Sequence, residues 1–215
     1  MPLFSRLASA VTHLVKSRSF PGSQHYWEKR YAAGGNSGRG SYGSLAAYKA
    51  EVLNSFVKEN KIDTVIEFGC GDGNQLTIAE YPVYTGLDVS VSAIKKCIGL
   101  FEHDPTKSFY LYDSMAFCDH QHRFNASLSL SLDVIYHLIE SDVYEAYLTH
   151  LFNAAGKYVI IYAWDVEGKN KIHVHHRKFT AWIAEHQKGW ELIRVNTELP
   201  KHPEACDFFF YQKIR

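Results

Sequence analysis

The strongest constraint on the fold is a regular alternation of strand-like and helix-like segments along the chain. Short runs rich in β-branched and aromatic residues occupy 64–68, 83–88, 108–113, 126–132 and 157–163. Segments with helical character follow them, around 74–80, 91–102, 140–153 and 178–188. This order predicts a parallel sheet covered by helices on both faces. Two further strands, over 190–198 and 206–214, are predicted to follow, joined by a turn that contains proline.

The composition is that of one globular domain. The 215 residues are 46% hydrophobic and 21% charged, which excludes a disordered or fibrous chain. No apolar run approaches the roughly 20 residues that span a bilayer. The 23 basic and 23 acidic side chains balance, which argues against a surface built for nucleic acid. Four cysteines without a C-x-x-C pair indicate reduced thiols, so we expect a cytoplasmic protein.

Residues 1–22 are predicted to form an amphipathic helix that ends at Pro21-Gly22. Apolar residues recur there at helical spacing beside basic ones, and the first acidic residue of the chain is Glu28. A helix packed on the domain, an interfacial membrane helix and a targeting peptide all fit this pattern. Peripheral contact with a membrane through residues 1–20 therefore stays open.

Residues 23–60 are predicted to form a cap, with a glycine-rich segment between two helical stretches. Five glycines fall within ten residues: Gly34, Gly35, Gly38, Gly40 and Gly43. A flexible linker is one interpretation. The aromatic and cationic residues before the glycines favour a lid that folds over a ligand. Residues 61–215 would form the core of a single domain spanning 23–215.

A glycine-rich turn follows the first strand of the alternation. Gly69, Gly71 and Gly73 have the spacing G-x-G-x-G, and Glu67 precedes them by two residues. Dinucleotide enzymes use G-x-G-x-x-G, so this spacing opposes a nicotinamide oxidoreductase. The acid suits a cationic ligand better than a phosphate. Asp88, nineteen positions after Gly69, is placed to accept hydrogen bonds from both hydroxyls of a ribose.

With Asp113 at the end of the third strand and LSLDVIYHL at 130–138, these motifs resemble class I S-adenosylmethionine-dependent methyltransferases. The resemblance covers about residues 60–165. The segments 26–54 and 173–179 are similar to an uncharacterised bacterial subgroup of that class, which implies a role in glycan assembly. The resemblance implies an α/β, Rossmann-like fold with a mostly parallel seven-stranded sheet and an N-terminal helical cap. It also implies S-adenosyl-L-methionine as the cofactor.

The same resemblance assigns cofactor contacts to residues along the chain. The methionine portion of the cofactor would be lined by Glu67, Gly69, Cys70 and Gly71. Gly73 would keep the glycine-rich turn open. The ribose and adenine would contact Asp88, Val89, Asp113 and Ser114. The transferred methyl would lie beside Leu132 and Asp133. The cofactor would be closed from the amino-terminal side by Trp27, Arg30 and Tyr31.

Four residues are candidates for contact with the methyl acceptor. His137 follows the fourth strand and could act as a base for a hydroxyl acceptor. His173, His176 and Arg177 are expected to face the acceptor, with Arg177 as a fork for a carboxylate or phosphate. His173 and His175 share one face and could ligate a metal, but the remaining ligands would have to come from 118–122. We predict no metal site.

These observations favour transfer of a methyl group to an oxygen of a small polar molecule or glycan. No [DN]-P-P-[YFW] tetrapeptide follows the fourth strand, so the acceptor is not expected to be a nucleic acid. Methylation of a protein or peptide side chain is the alternative. A protein that binds the cofactor without catalysis is a further alternative, although such a protein needs no histidine near the methyl group.

Overall fold

The computed structural model describes residues 20–197 and 205–214. The helices are α1 (Ser23–Ala32), α2 (Gly43–Glu59), α3 (Val91–Leu100), α4 (Ser141–Asn153) and α5 (Phe179–His186). The strands are β1 (Thr64–Phe68), β2 (Val83–Asp88), β3 (Lys107–Leu111), β4 (Ala126–Leu132), β5 (Ala155–Ala163), β6 (Gly168–Lys171), β7 (Val174–His176), β8 (Trp190–Asn196) and β9 (Asp207–Lys213). Among these residues, no helix has the length and apolarity to cross a bilayer.

Seven strands form one sheet in the order β3-β2-β1-β4-β5-β9-β8. The first five pair in parallel, whereas β9 pairs antiparallel with both β5 and β8. This arrangement confirms the predicted mostly parallel, Rossmann-like sheet. Strand order reverses between β1 and β4, and in open α/β sheets ligands bind outside the carboxyl ends of the strands at such a point.

Two apolar layers enclose the sheet because successive side chains of a strand point to opposite faces. On β1, Ile66 and Phe68 pack in the layer that contains α4, whereas Val65 packs in the layer that contains α2. Strands β4 and β5 show the same alternation, and β4 and the last five residues of β5 are almost entirely buried. Burial on both faces accounts for the nearly continuous apolar runs that predicted these strands.

Several predicted elements differ in the structure. The helix expected over 74–80 is only a 3₁₀ turn, Gln75–Ile78, because the backbone is already extended at Ala79, with φ of −90° and ψ of 141°. A two-stranded sheet of β6 and β7 was not predicted. The third strand ends at Leu111 rather than 113. The predicted helix over 1–22 lies almost wholly outside the described residues. The division into domains stays a prediction.

Candidate active site

A cavity lies at the carboxyl ends of β1, β2 and β4, where the strand order reverses. Its floor is the glycine-rich turn after β1 together with the residues that follow β2 and β4. Its roof is α1 and the segment 33–42, which we call the lid. Most of the predicted cofactor residues line it: Trp27, Tyr31, Glu67, Gly69, Cys70, Gly71, Asp88, Val89, Ser114, Leu132 and Asp133.

The turn after β1 needs glycine because its backbone adopts positive φ angles and because the lid packs closely against it. Gly69 and Gly71 have φ of 83° and 60°, a region that residues with a side chain rarely adopt. A Cβ atom on Gly71 would collide with the Ser37 hydroxyl and lie 3.0 Å from the Tyr31 hydroxyl. The bare backbone therefore lets the lid rest directly on the turn.

Asp88 ends β2 with its carboxylate against this turn. Its oxygens accept the backbone N–H of Gly71 and of Ser90, each at 2.9 Å. Burial raises the pKa of Asp88 to about 6, against the opposing effect of these two hydrogen bonds. Each carboxylate oxygen can accept a second hydrogen bond. Asp88 can therefore receive hydroxyl donors from a ligand in the cavity.

The lid is fastened to the turn by Asp72, which lies between two of the motif glycines. The Asp72 carboxylate accepts the Ser37 N–H at 3.1 Å, the Ser37 hydroxyl at 2.7 Å and the Tyr42 hydroxyl at 2.8 Å. Burial acts to raise the pKa of Asp72, but these hydrogen bonds outweigh it and lower the pKa. The glycine-rich segment is thus held against the turn by defined hydrogen bonds.

Helix α1 is anchored beside the lid by Glu28. Its carboxylate accepts the hydroxyls of Ser90 and Ser92, both at 2.7 Å, and the Ser92 N–H at 3.1 Å. Ser90 caps α3, so Glu28 lies at the positive end of that helix. Hydrogen bonds from the two serines lower the pKa of Glu28 to about 2. The cap is therefore tied to the residues that follow Asp88.

A buried ion pair closes one wall of the cavity. Lys49 on α2 is fully buried, and its Nζ lies 2.7 Å from Asp133 Oδ2. Asp133 adopts φ of 61°, and its other oxygen accepts the Tyr136 hydroxyl at 2.9 Å and lies 3.6 Å from Cys206 Sγ. Backbone strain of this kind persists where surrounding contacts hold it. The sequence analysis missed Lys49, although its helical spacing with buried Ala46, Ala50 and Leu53 marks an inward position.

Glu67 is a second buried acid in the cavity. Its Oε2 accepts the Tyr84 hydroxyl at 2.7 Å. Burial raises the pKa of Glu67 to about 7, although the Tyr84 hydrogen bond and the charge of Lys49 act to lower it. A buried carboxyl of this type is most stable as a carboxylate when a cation lies beside it. The wall that holds Glu67 is therefore suited to a positively charged ligand group.

His137 lines the cavity and is held in one tautomer. Its Nδ1 lies 2.9 Å from the backbone carbonyl of His173, which can only accept, so Nδ1 carries the proton and Nε2 does not. The ring meets Trp27 edge to face, with centroids 4.9 Å apart. Burial lowers the pKa of His137 to about 4, so the ring is neutral near pH 7. Its Nε2 is available as a hydrogen-bond acceptor.

Three predicted cofactor residues do not line the cavity. Arg30 Nε donates to the Asn36 carbonyl at 2.7 Å, which shapes the lid from outside. Gly73 packs against α3, where a Cβ would lie 3.1 Å from Cys97 Sγ. Asp113 Oδ1 accepts the Met115 N–H at 2.9 Å, and its neighbours Tyr112 and Ser114 line the cavity instead.

Three predicted acceptor residues also lie behind the cavity wall. Arg177 donates to the Leu138 and Ile139 carbonyls at 2.7 and 2.9 Å, so its guanidinium group is already bound to two backbone carbonyls. His176 is buried on β7, and its Nδ1 makes no hydrogen bond within the described part of the chain. His173 stacks between Tyr26 and His137 and supplies its carbonyl to the latter. Across residues 20–197 and 205–214, no three His, Cys, Asp or Glu side chains converge as metal ligands.

The cavity also has walls that the sequence analysis did not identify. Besides Lys49, they include Ser23, Ser37, Ser41, Gln75, Tyr112, Val134, Leu138, Val143 and Tyr147. Most belong to elements far apart in the chain, so only the tertiary fold brings them together. Gln75 lies two residues after the glycine motif and could have been considered from the sequence.

Comparison with known proteins relates this chain to others through structure alone. No protein-family model matches it, and no curated protein does. It superposes on the N-methyltransferase NodS from Bradyrhizobium japonicum WM9, solved with S-adenosyl-L-homocysteine, with a TM-score of 0.70 and 14% identity, over 90% of this chain and 100% of that one. Magnesium protoporphyrin IX methyltransferase ChlM from Synechocystis PCC 6803 superposes with a TM-score of 0.61 and 13% identity, over 90% of this chain and 96% of that one.

The methyltransferase domain of bacterial CtHen1 is a third structure of this kind. It aligns with a TM-score of 0.62 and 17% identity, over 78% of this chain and 97% of that domain. At such low identities the likeness concerns the fold. The chain therefore has the fold of class I methyltransferases, as its motifs predicted.

Proposed function

We propose that this protein is an S-adenosylmethionine-dependent methyltransferase that methylates an oxygen of a small polar molecule or glycan. The observation that carries the proposal is the roofed cavity at the strand-order reversal, with Asp88 and the bare glycine turn on one side. A class I methyltransferase fold with such a cavity has the parts that this chemistry requires. The ligands in the neighbouring structures NodS and ChlM are in keeping with it.

The residues present fit the proposed cofactor in chemistry as well as position. Asp88 can accept hydrogen bonds from the two ribose hydroxyls, while Val89, Tyr112 and Ser114 offer a surface for the adenine. The acids Glu67 and Asp88 give the cavity wall a negative character that suits a sulfonium. Gln75 Oε1 is buried in this wall without a hydrogen-bond donor, which leaves it for a donor on the ligand.

When bound, S-adenosylmethionine supplies an activated methyl group, and the protein must align the acceptor with it. Placement of two reactants alone can contribute roughly 7–11 kcal/mol to the lowering of the barrier. Trp27, the lid, Tyr112 and Tyr147 line the cavity and would limit the access of water to the reacting groups. The charge of the sulfonium fades during transfer, so strong stabilisation of that charge would not accelerate the reaction.

The arrangement around His137 supports an oxygen acceptor. A hydroxyl must lose its proton when it is methylated, and His137 Nε2 can accept a hydrogen bond from it. Because burial keeps the ring neutral, Nε2 is ready to accept at neutral pH. Asp133 is less suited to this role, since Lys49 and Tyr136 already bind its two oxygens.

Calorimetry tests the cofactor assignment. We expect S-adenosylhomocysteine to bind and NAD not to bind. Asp88→Ala should weaken S-adenosylhomocysteine binding at least tenfold, whereas Asp104→Ala, which changes a partly exposed acid outside the cavity, should not. Circular dichroism would verify that both variants fold. Binding of NAD in place of S-adenosylhomocysteine would overturn the proposal, and unchanged affinity in Asp88→Ala would remove the ribose assignment.

The acceptor is tested by following S-adenosylhomocysteine release from S-adenosylmethionine. Small hydroxyl compounds and oligosaccharides form one arm of the assay, and peptides and RNA form the other. We expect turnover in the first arm. Turnover only with peptides or RNA would contradict the acceptor class while leaving the cofactor intact. Cofactor binding without turnover in either arm would favour a binding protein.

A further inference from the structure

Two segments of the chain are basic and contain no acidic residue. Residues 1–27 and 168–178 together hold seven of the 23 lysines and arginines and none of the 23 aspartates and glutamates. The remaining residues therefore carry more acids than bases, although the whole chain is neutral. Such a separation of charge is typical of a surface that meets an anionic partner.

The fold brings these two segments together beside the cavity. Tyr26 in α1 stacks on His173, which lies in the turn of the β6–β7 hairpin, with ring centroids 4.7 Å apart. Phe20, the first described residue, has its ring centroid 6.1 Å from that of Tyr26. Residues 1–19 therefore join the described chain next to the tip of this hairpin. The same turn bonds to His137 in the cavity wall through the His173 carbonyl.

The tip of the hairpin exposes an aliphatic side chain next to cations. Ile172 forms half of the two-residue turn and is 61% exposed, more than any other large apolar side chain among the described residues. Lys171 beside it and Lys178 after β7 are also exposed. Arg177 does not add to this surface, because its guanidinium group is bound to backbone carbonyls. An exposed aliphatic tip with lysines around it suits the interface of a bilayer.

The apolar residues favour a lipid surface over a nucleic acid. Proteins hold nucleic acids with cations and with aromatic rings that stack on bases, whereas an aliphatic side chain gains by leaving water for an apolar phase. Anionic lipids also attract nearby lysines and arginines. Residues 1–20 combine three basic residues with apolar ones at helical spacing: Leu3, Phe4, Leu7, Val11, Leu14 and Val15.

We propose that the tip of the β6–β7 hairpin and residues 1–20 form a docking surface for a membrane that contains anionic lipids. Ile172 enters the interfacial region of the bilayer, and the lysines of the hairpin lie against the headgroups. The hairpin contacts the wall that holds His137, so docking keeps that end of the cavity close to the bilayer. The docking goes beyond the proposed chemistry, because no described residue of this surface lines the cavity.

Vesicle sedimentation tests the surface in the full-length protein. We expect binding to vesicles of phosphatidylcholine and phosphatidylglycerol, and roughly tenfold weaker binding to phosphatidylcholine alone or in high salt. The double change Lys169→Glu and Lys171→Glu should weaken binding to the anionic vesicles by roughly tenfold or more. The matched control is Lys58→Glu with Lys95→Glu, which changes the net charge equally at two exposed lysines on α2 and α3. It should stay within about twofold of wild type, because electrostatic attraction falls off within a Debye length of the surface.

A fluorescent label on the hairpin tip measures insertion directly. Among the four cysteines, only Cys118 is exposed, so labelling with an environment-sensitive fluorophore is done in a Cys118→Ser background. A label on Ile172→Cys should shift to shorter wavelength and gain intensity on anionic vesicles. A label on Ile98→Cys, at a position on α3 that is 52% exposed in the wild type, should show no change.

The outcomes distinguish the docking surface from the proposed function. Wild-type protein that fails to bind anionic vesicles, an equal loss in the control variant, or an unchanged label at Ile172→Cys would overturn the surface. Binding to single-stranded RNA but not to vesicles would overturn it in favour of a nucleic acid. Should the lysine variant fail to fold by circular dichroism, the label decides.

Calorimetry with S-adenosylhomocysteine separates the two proposals. The hairpin variants should keep the wild-type affinity, because their changed residues lie outside the cavity. A loss of cofactor affinity in these variants would contradict a surface that acts only in docking. Failure of wild-type protein to bind S-adenosylhomocysteine would overturn the proposed function, while vesicle binding would still decide the docking surface.

Discussion

The lid should open when Asp72 is removed. In Asp72→Ala the lid loses three hydrogen bonds, two from Ser37 and one from Tyr42. Hydrogen bonds to a charged group contribute about 1.5–3 kcal/mol each, but the Ser37 and Tyr42 groups can bond to water once the lid opens, which reduces the total. We expect lid closure to lose about 2 kcal/mol. Since about 1.4 kcal/mol is a factor of ten, S-adenosylhomocysteine should bind roughly tenfold to thirtyfold more weakly.

Hydrogen exchange gives an assay of the lid that does not depend on any ligand. Peptides covering residues 33–42 should exchange faster in Asp72→Ala, while β1 and β4 keep their protection. Asp119→Ala is the control, because Asp119 also holds a loop by two backbone N–H bonds, at 2.9 and 2.8 Å, away from this cavity. It should change neither lid exchange nor affinity. Unchanged lid exchange in Asp72→Ala would refute the assignment of Asp72 as the fastening.

The pH dependence of the lid follows from the lowered pKa of Asp72. A carboxyl whose pKa is lowered in the folded state stabilises that state above its unfolded pKa and loses the effect as pH falls through the folded pKa. The lid should therefore stay closed from about pH 5 to 8 and open only in stronger acid. Opening at neutral pH would contradict this account.

Three further predictions concern other parts of the site. The raised pKa of Glu67 lowers the stability of wild-type protein as pH rises from about 4.5 to about 7. In urea titrations, the unfolding free energy of Glu67→Gln relative to wild type should therefore be about 2–3 kcal/mol higher at pH 8 than at pH 5. An equal difference at both pH values would contradict this prediction. Arg177→Met should lose about 2–4 kcal/mol in the same titration, since two backbone carbonyls lose their donor; wild-type stability would disprove a structural role. Gly40→Ala should weaken S-adenosylhomocysteine several-fold, because a Cβ there collides with Asp133, whereas Gly99→Ala, with open space around it, should not.

The parts of the fold and site that local sequence encodes were predictable. Buried strands appear as apolar runs, and the glycine spacing after β1 places a bare turn beside Asp88 whatever the remaining contacts are. The mostly parallel, seven-stranded sheet followed from the resemblance to a known class. These features depend on a few neighbouring residues, so the sequence displays them directly.

The remaining features depend on tertiary contacts. In the sequence, Lys49 resembles any surface lysine of a helix. Only the tertiary fold buries it and brings it to Asp133, 84 positions away. The β6–β7 hairpin turns at residues 172 and 173, without the glycine or asparagine that marks most short turns. Arg177 and His173 carry chemistry that suits an acceptor, yet the fold uses them to hold backbone and to orient His137. Asp72 had a local signal, an acid between two glycines, but its partners lie in the lid.

The position of β9 between β5 and β8 affects how the chain folds during its synthesis. On the ribosome, β5 emerges more than forty residues before the strand that completes its pairing. Until β9 has been synthesised, β5 is an edge strand of mainly apolar residues with unpaired backbone groups. Such an edge can pair with other chains and cause aggregation. Nascent intermediates that stop short of residue 207 should therefore be the species that chaperones must shield.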